Sequence, residues 1–282
     1  MSAPTLPTDL LTSPPEGTPE FAIVFDNVHI AFEENEVLRG VSFRLAFGET
    51  KALFGVAGSG KSTILKLALG LLPPDSGRIT VLGNEVTQMH EQELFPMRGR
   101  LGMVFQESAL FDSLTVAENV AFRLMEEHGI YDEEIDGRVR EALRFVELEH
   151  TVDMFPSELS GGMRRRVAIA RAIITQPELL LYDSPTGGLD PVTSNTIIEL
   201  VMKQRDVYKT SSLLVTHRLQ DAFTMATHQF DKATNQMRAL TRGQRCDVPM
   251  SFLILRDGKV IFDGDVQELI HTKDEYIREY IS

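Results

Sequence analysis

The sequence predicts an α/β fold in which a parallel sheet carries a phosphate-binding loop, and three observations support this. Residues 55–63 read Gly-Val-Ala-Gly-Ser-Gly-Lys-Ser-Thr, which fits the phosphate-binding pattern G-x-x-x-x-G-K-[ST]. An apolar strand at residues 51–54 precedes this loop, and an apolar helix start at residues 64–69 follows it. The continuous apolar run at residues 179–182 is typical of a strand that is buried on both faces of a parallel sheet.

The strands are predicted from short runs that are apolar throughout or alternate between apolar and polar residues. In chain order they are residues 21–26, 41–45, 51–54, 78–82, 101–105, 179–182, 211–215, 252–255 and 260–262. The last two flank Asp257-Gly258, a dipeptide that is typical of a hairpin turn.

The helices are predicted from apolar residues at three-to-four spacing. They are residues 116–125, 135–148, 164–174, 195–203, 219–226 and 274–281. The first two form a helical subdomain at about residues 107–162, which is inserted into a core of about residues 21–106 and 163–282. The amphipathic helix at residues 274–281 is expected either to pack on the core or to contact a dimer mate.

One connection is much longer than the usual ~4–6 residues. Residues 229–250 form a polar insertion that includes Arg238, Arg242, Gly243 and Arg245. It is interpreted either as a surface insertion or as a docking or regulatory loop.

Composition excludes some classes of protein. The 282 residues suffice for one large α/β domain or two small ones, and the formal net charge of -13 argues against general nucleic-acid binding. Cys246 is the single cysteine, so no internal disulfide forms, which suits a reducing compartment. There is no run of 18 apolar residues that could span a bilayer. Residues 1–20 lack the basic and apolar regions of a secretory signal and are expected to be a disordered tail.

The phosphate-binding loop has a clear chemistry. Its glycines let the backbone curl so that N–H groups point at phosphate oxygens, and the following helix N-terminus adds partial positive charge. Lys61 is expected to reach the β- and γ-phosphates of a nucleotide, and the Ser62 hydroxyl to bind Mg²⁺.

Polar residues follow several of the predicted strands. Gln106, Asp183 and His217 each stand at the end of a strand, where ligand sites of parallel α/β sheets lie. Asp183 is suited to be the carboxylate on the Mg²⁺ side of such a site. Upstream of it, Ser160, Gly161 and Gly162 open a helix and could form a second phosphate-binding surface.

Together and in this order, these motifs resemble the ATPase subunit of ABC transporters over residues 21 to about 280. The resemblance implies a P-loop NTPase (RecA-like) core with an antiparallel β subdomain and an inserted helical subdomain. It also implies the residues that bind ATP and Mg²⁺. These are Gly55, Val56, Ala57, Gly58, Ser59, Gly60, Lys61, Ser62 and Thr63 as Walker A, Gln106 as the Q-loop glutamine, Ser160, Gly161 and Gly162 as the signature, Asp183 as the end of Walker B, Asp190 as the D-loop aspartate and His217 as the switch histidine.

The resemblance further implies that Ser62, Gln106 and Asp183 contact Mg²⁺, and that Phe32 stacks on adenine. A plain core aromatic is the alternative interpretation of Phe32. Two copies of the chain are expected to pack head to tail around two ATP molecules and to work with integral membrane permease subunits.

The chain departs from the family at residue 184, where Asp183-Ser184-Pro185-Thr186 replaces the usual Asp-Glu-Pro-Thr. Since a serine hydroxyl is a poor general base, hydrolysis could slow by a factor on the order of 10²–10⁴. Three interpretations stay open. In the first, the protein hydrolyses slowly, with Ser184 at the catalytic position and His217 and Gln106 placing the water. In the second, another carboxylate such as Glu107 substitutes. In the third, the site is altered or degenerate, and the chain is an ATP-binding dimer clamp with little hydrolysis.

Finer details are similar to the ATPases of MCE-type, or MlaF-like, phospholipid transporters. These are Met163 followed by three arginines in the signature, residues 105–116 around the Q-loop and residues 155–158 before the signature. This branch implies a lipid substrate, an MCE-type lipid-binding subunit in the complex, no nucleic acid, and the cytoplasmic face of a bacterial inner membrane. A soluble ABC ATPase of translation or DNA repair is the alternative from another class.

Overall fold

The computed structural model describes residues 20–241, 244 and 246–281. The predicted N-terminal tail lies outside the described residues except for Glu20, and so do Arg242, Gly243 and Arg245 of the predicted insertion.

The described part of the chain contains twelve strands. They are β1 (Phe21–Phe32), β2 (Asn35–Ala46), β3 (Thr50–Gly55), β4 (Ser76–Val81), β5 (Asn84–Glu85), β6 (Leu101–Val104), β7 (Leu179–Asp183), β8 (Ser211–Val215), β9 (His228–Asp231), β10 (Gln236–Ala239), β11 (Met250–Arg256) and β12 (Lys259–Asp265).

The same residues contain nine α-helices. They are α1 (Lys61–Ala68), α2 (Glu91–Gly99), α3 (Val116–His128), α4 (Glu133–Phe145), α5 (Gly161–Ile173), α6 (Pro191–Tyr208), α7 (Leu219–Thr227), α8 (Val266–Ile270) and α9 (Glu275–Ile281). Short 3₁₀ turns at Glu149–Thr151 and Pro156–Glu158 join α4 to α5.

Two sheets organise the core. A six-stranded sheet has the order β12-β11-β3-β8-β7-β6, in which all neighbours are parallel except the antiparallel β11–β12 pair. An antiparallel sheet of order β2-β1-β4-β5 packs beside it. Apolar side chains of both sheets, among them Phe25, Phe43 and Leu53, share one buried cluster with α1. Because β3 lies inside the larger sheet, the loop that follows it starts from a rigid position.

A second buried cluster joins the helical segment to the sheet. Apolar side chains of α3 and α4 pack against α5, α6 and the strands β7 and β8. Helix α3 begins with a capping box, since the Thr115 hydroxyl accepts from the Glu118 N–H at 3.2 Å and the Glu118 carboxylate accepts from the Thr115 N–H at 2.7 Å. The segment is therefore fixed on the core by apolar packing and by its helix ends.

Removing the cap of α3 should destabilise this segment measurably. We expect Thr115→Ala to lower the free energy of unfolding by about 1 kcal/mol, because the first turn of α3 loses a hydrogen-bond acceptor. Denaturant unfolding of the purified chain measures this. The neighbouring exposed Ser113 caps no helix, so Ser113→Ala is the control and should stay within about 0.5 kcal/mol of the natural chain. Equal values for the two variants would contradict the capping role.

The sequence interpretation missed helix α2, strand β5, the hairpin β9–β10 and helix α8. Helix α2 carries Pro96 and has no regular apolar stripe, but Arg98 fixes it by donating to the carbonyls of Leu69 at 2.8 Å and Gly70 at 3.1 Å. The predicted insertion contains the hairpin β9–β10. Its anchor is Arg205, which is 2% exposed, donates to His228 O at 2.9 Å and pairs with Asp206 at 2.7 Å. Both anchors are contacts between residues far apart in sequence.

Helix α9 packs on the core, which was one of the two predicted alternatives. Ile277 is 1% exposed and lies in a cluster with Ala52 and Phe54 of β3 and Ala222 of α7. The last helix therefore supports, from one side, both the strand before the phosphate loop and the helix after His217.

Candidate nucleotide site

The phosphate loop has a backbone that depends on glycine. Gly55, Gly58 and Gly60 have φ angles of 154°, 79° and 97°. A Cβ added to Gly55 would lie 2.6 Å from the Leu255 carbonyl oxygen, and one added to Gly60 would lie 2.6 Å from Leu38 Cδ2. Gly60 also caps α1, whose first turn contains no acidic residue. The loop therefore wraps the N-terminus of α1 closely, while Val56, Ala57 and Gly58 remain exposed.

Lys61 bridges the loop. Its ammonium donates to the carbonyls of Gly55 and Val56, both at 2.8 Å. Burial lowers the pKa of Lys61 below its usual value, and the negative charge of Asp183 opposes this shift. A positive group at a helix N-terminus can neutralise phosphate oxygens.

The neighbouring residues provide oxygen ligands for a hard cation. Ser62 Oγ and Asp183 Oδ1 are 3.3 Å apart. Adjacent ligands of an octahedral Mg²⁺ ion lie about 3.0 Å apart, because each ligand is roughly 2.1 Å from the metal. The two oxygens therefore fit Mg²⁺ with little movement. No group of three or more His, Cys, Asp or Glu side chains suited to a metal ion occurs among the described residues.

Gln106 lies on the other side of this site. It follows β6, is exposed, and its Nε2 would be 3.4 Å from a Cβ added to Gly187. No hydrogen bond within the described part of the chain joins Gln106 to Ser62 or Asp183. The structure therefore brings Ser62 and Asp183 together and places Gln106 beside the segment that follows β7.

Residue 184 occupies an unusual backbone position. Ser184 is 7% exposed and has a φ of 46°. Its N–H donates to Val215 O at 2.8 Å, and its carbonyl accepts from Gly187 N at 2.8 Å. These bonds direct the chain away from β7 at its carboxyl end. His217 lies two residues beyond Val215, which pairs with Asp183, and its side chain is exposed.

The residues Ser160, Gly161 and Gly162 form a separate surface. Ser160 Oγ caps α5 by accepting from Met163 N at 3.2 Å. A Cβ on Gly162 would lie 2.5 Å from Thr193 Cγ2, so α5 approaches the start of α6 closely. Ser160 and Gly161 are exposed. No hydrogen bond or ion pair between described residues links this surface to residues 55–63 of the same chain.

Two further predicted residues lie at exposed positions. Asp190 caps α6 by accepting from Val192 N and Thr193 N, both at 3.0 Å, and the hydroxyl of Thr193 lowers the pKa of Asp190. Phe32 ends β1 and is 45% exposed, which excludes the alternative of a plain core aromatic.

Comparison with known proteins identifies this arrangement. The family model described as ABC transporter matches residues 38–187. This chain belongs to the ABC transporter family. Its fold is that of a solved ABC cassette, the dimeric structure of a post-hydrolysis state of MJ0796 bound to ADP and Pi. The TM-score is 0.71 at 28% identity, and the match covers 86% of this chain and 98% of that one.

Three relatives of different function are similar over long stretches. Protein TRIGALACTOSYLDIACYLGLYCEROL 3, chloroplastic, of Arabidopsis thaliana is 36% identical over 263 residues, which cover 90% of this chain and 71% of that protein. The methionine import ATP-binding protein MetN of Bifidobacterium longum is 40% identical over 179 residues, 64% of this chain and 44% of that protein. The intermembrane phospholipid transport system ATP-binding protein MlaF of Haemophilus influenzae is 29% identical over 259 residues, 92% of this chain and 84% of that protein.

The predicted fold class and the resemblance to ABC ATPases are therefore confirmed. The chain is an ATP-binding subunit of an ABC transporter, from a family of ATPases whose cofactors are ATP and Mg²⁺ and whose cassettes dimerise and work with membrane permease subunits. Among the described residues, no helix has both the length and the apolar character that crossing a membrane requires.

Sequence reasoning missed the arginines that shape the Q-loop of this ABC cassette. Arg165 of α5 donates to Phe105 O at 3.0 Å and to Gly187 O at 3.2 Å. Arg171 donates to Ser108 O and Ala109 O, both at 2.7 Å. These two acceptor residues have φ angles of 65° and 48°, so the loop is held in a conformation that is uncommon for non-glycine residues. The only sequence signal was the presence of arginines on an otherwise apolar helix.

Proposed function

We propose that this chain is the ATP-hydrolysing subunit that energises an ABC transporter of phospholipid or another lipid between bacterial membranes. The observation that carries the proposal is long similarity to two proteins with lipid names. One is the Arabidopsis protein named after trigalactosyldiacylglycerol, and the other is MlaF of a phospholipid transport system. The chain would lie at the cytoplasmic face of the inner membrane, against permease subunits and, through them, an MCE-type lipid-binding subunit.

The proposed roles of the site residues come from the resemblance to ABC ATPases, and the positions of these residues at the carboxyl ends of the strands support them. Lys61 and the loop N–H groups hold the β- and γ-phosphates, and Ser62 and Asp183 bind Mg²⁺, which neutralises phosphate charge when bound. The side chain of Gln106 contacts the same Mg²⁺ ion. His217 reaches the γ-phosphate from the end of β8. Phe32 provides an exposed ring for adenine.

Two copies would complete each nucleotide site. Within one chain, no hydrogen bond or ion pair between described residues links the exposed loop residues 56–58 to the exposed Ser160 and Gly161. The negative charge of a triphosphate is large enough to interact with both surfaces at once. The solved relative MJ0796 forms a dimer with ADP and Pi bound. Asp190 caps the helix α6, against which Gly162 packs, so it lies close to the same contact face.

Methionine import is the second candidate function. The match to MetN has the higher identity, 40%, although it covers only 64% of this chain. Both candidates share the ATPase chemistry, so only the transported substrate distinguishes them.

The experiment is to purify the chain with the permease that accompanies it and to reconstitute the complex in phospholipid bilayers. Phosphate release should depend on this complex and respond to lipid composition, and labelled phospholipid should move between vesicles when ATP is added. Stimulation by methionine without lipid movement would support the second candidate and contradict the first. ATP binding without phosphate release in the complete complex would instead indicate a dimer clamp, and isolation with ribosomes or recombination proteins would indicate a soluble ABC ATPase.

The adenine platform can be tested separately. We expect Phe32→Ala to weaken ATP binding by about 1–3 kcal/mol, the usual worth of a base stacked on an aromatic ring. Binding of a fluorescent ATP analogue to the purified chain measures this. Phe32→Tyr keeps the ring and is the matched control, which should bind ATP nearly as the natural chain does. If Phe32→Ala binds ATP with unchanged affinity, Phe32 is not part of the nucleotide site.

A further inference from the structure

Asp221 is a buried carboxylate that the ATPase motifs do not include. It lies in the first turn of α7, four residues after His217, and is 3% exposed. Its Oδ2 accepts from the Thr186 hydroxyl at 2.5 Å, and its Oδ1 lies 3.6 Å from Arg218 Nε. Thr186 is 1% exposed and belongs to the segment after Asp183. Asp221 therefore ties the helix after the switch histidine to the segment after Walker B.

Arg218 extends this connection to the D-loop. Its Nη1 donates to the hydroxyl of Ser194, which is fully buried on α6. The Ser194 N–H in turn donates to Asp190 O at 2.9 Å. The Arg218 N–H donates to Thr216 Oγ1 at 3.0 Å. A continuous chain of polar contacts thus runs from the segment after Walker B, through Asp221 and Arg218, to Asp190, which caps α6.

His217 lies between the two anchored residues Thr216 and Arg218. Within the described residues, its own exposed imidazole makes no hydrogen bond. The orientation of the imidazole is therefore set by how its neighbours are held. Burial raises the pKa of Asp221, while Thr186, Arg218 and His217 oppose the shift. A carboxylate this deeply buried needs such partners, since an unpaired charge in the interior is costly.

We propose that Asp221 is a positioning residue for ATP hydrolysis, which holds the switch histidine and the D-loop in register with Walker B. This inference rests on the proposed ATPase function. Asp221 does not touch nucleotide; it acts through Thr186 and Arg218. When the dimer closes on ATP, His217 and Asp190 then move as one unit with the segment that carries Ser184.

The test compares Asp221→Asn with Asp206→Asn in the full transporter complex. Asp206→Asn is the matched control. Asp206 is also buried, with 8% of its side chain exposed, and also pairs with an arginine, Arg205. It differs from Asp221 in that it anchors the hairpin β9–β10. Both variants leave an arginine without its carboxylate. We expect Asp221→Asn to lower kcat per folded molecule by up to about 100-fold, since small misplacements of catalytic groups have effects of that order. The KM for ATP and the affinity for ATP should stay within about 2-fold of the parent values, because Asp221 does not contribute to the binding of ATP in the ground state.

A second change tests whether charge pairing is the cause. The double variant Asp221→Asn with Arg218→Gln leaves no unpaired charge but also removes the link to Ser194, so its kcat should stay as low as that of Asp221→Asn. Recovery of kcat would show that the unpaired charge of Arg218, and not lost positioning, lowers the rate, and would overturn the proposal. If Asp221→Asn fails to fold, Thr186→Val removes the same hydrogen bond from the other side and should lower kcat about 10-fold, the worth of one bond to a charged group. Equal losses of kcat in Asp221→Asn and Asp206→Asn would show a merely structural role and overturn the proposal.

The outcome also separates this inference from the function on which it rests. The measurements are made in the natural chain and in a Ser184→Glu background. No phosphate release in either background, with all partners present, contradicts the ATPase function itself. If the parent proteins release phosphate and Asp221→Asn does not change the rate, the result contradicts the positioning role but not the ATPase function.

Discussion

Replacing Ser184 with glutamate should raise the rate of ATP hydrolysis by a factor on the order of 10²–10⁴, which is the usual contribution of a general base. Ser184 directly follows Asp183, whose Oδ1 lies 3.3 Å from Ser62 Oγ at the proposed Mg²⁺ position. A carboxylate at residue 184 could therefore polarise water next to the γ-phosphate. Phosphate release at saturating ATP, with the permease present, measures the change.

The affinity for ATP should change little in this variant, because the phosphate loop and Phe32 are untouched. Ser184→Gln is the matched control, since it adds nearly the same volume without a base and should leave the rate near that of the natural chain. If the glutamate and glutamine variants hydrolyse ATP equally fast, residue 184 does not limit the reaction. Glu107 would not substitute easily, because it is exposed and its charge acts on Arg165 of α5.

Lys61→Gln should have the second large effect. The Lys61 ammonium is held by the carbonyls of Gly55 and Val56, and a bound triphosphate offers it stronger, charged acceptors. We expect kcat to fall by about 10²–10³, as when one preorganised donor to a developing negative charge is removed. Affinity for ATP should fall as well, because a hydrogen bond between charged groups contributes about 1.5–3 kcal/mol.

Lys66→Gln is the control for Lys61. Lys66 lies on the same helix and is exposed, and among the described residues its side chain forms no hydrogen bond or ion pair with the loop. Its variant should bind and hydrolyse ATP as the natural chain does. A Lys61→Gln protein with unaltered ATP affinity and turnover would show that the loop holds something other than a triphosphate.

The sequence alone was sufficient to predict those features that depend on residues adjacent along the chain. The loop at residues 55–63, the apolar strands β7 and β8, and the polar residues at their ends are all contiguous signals. The exposure of Phe32 could not be predicted, because an aromatic at a strand end has the same local pattern whether it is buried or not. The predicted roles of individual site residues stay predictions until variants are measured.

Features that depend on distant partners were missed for a common reason. Arg165 and Arg171 act by reaching carbonyls of residues 105, 108, 109 and 187, and no sequence pattern marks a backbone acceptor. In the same way, Arg205 organises the insertion by contacts with β9, and Asp221 finds Thr186 only in the folded chain. Long polar side chains that bind remote backbone or hydroxyl groups are therefore the part of this site that requires coordinates.

The position of β3 has a consequence for how the protein is made. Thr50 of this strand pairs on one side with Ser212 and on the other with Met250. A nascent chain therefore exposes the glycine-rich loop early but cannot complete the sheet on both sides of β3 until residue 250 has left the ribosome. Pairing between such distant segments is slow to form. Intermediates with unpaired strand edges are prone to aggregate, so nucleotide can protect this protein only after β11 has been made and has paired with β3.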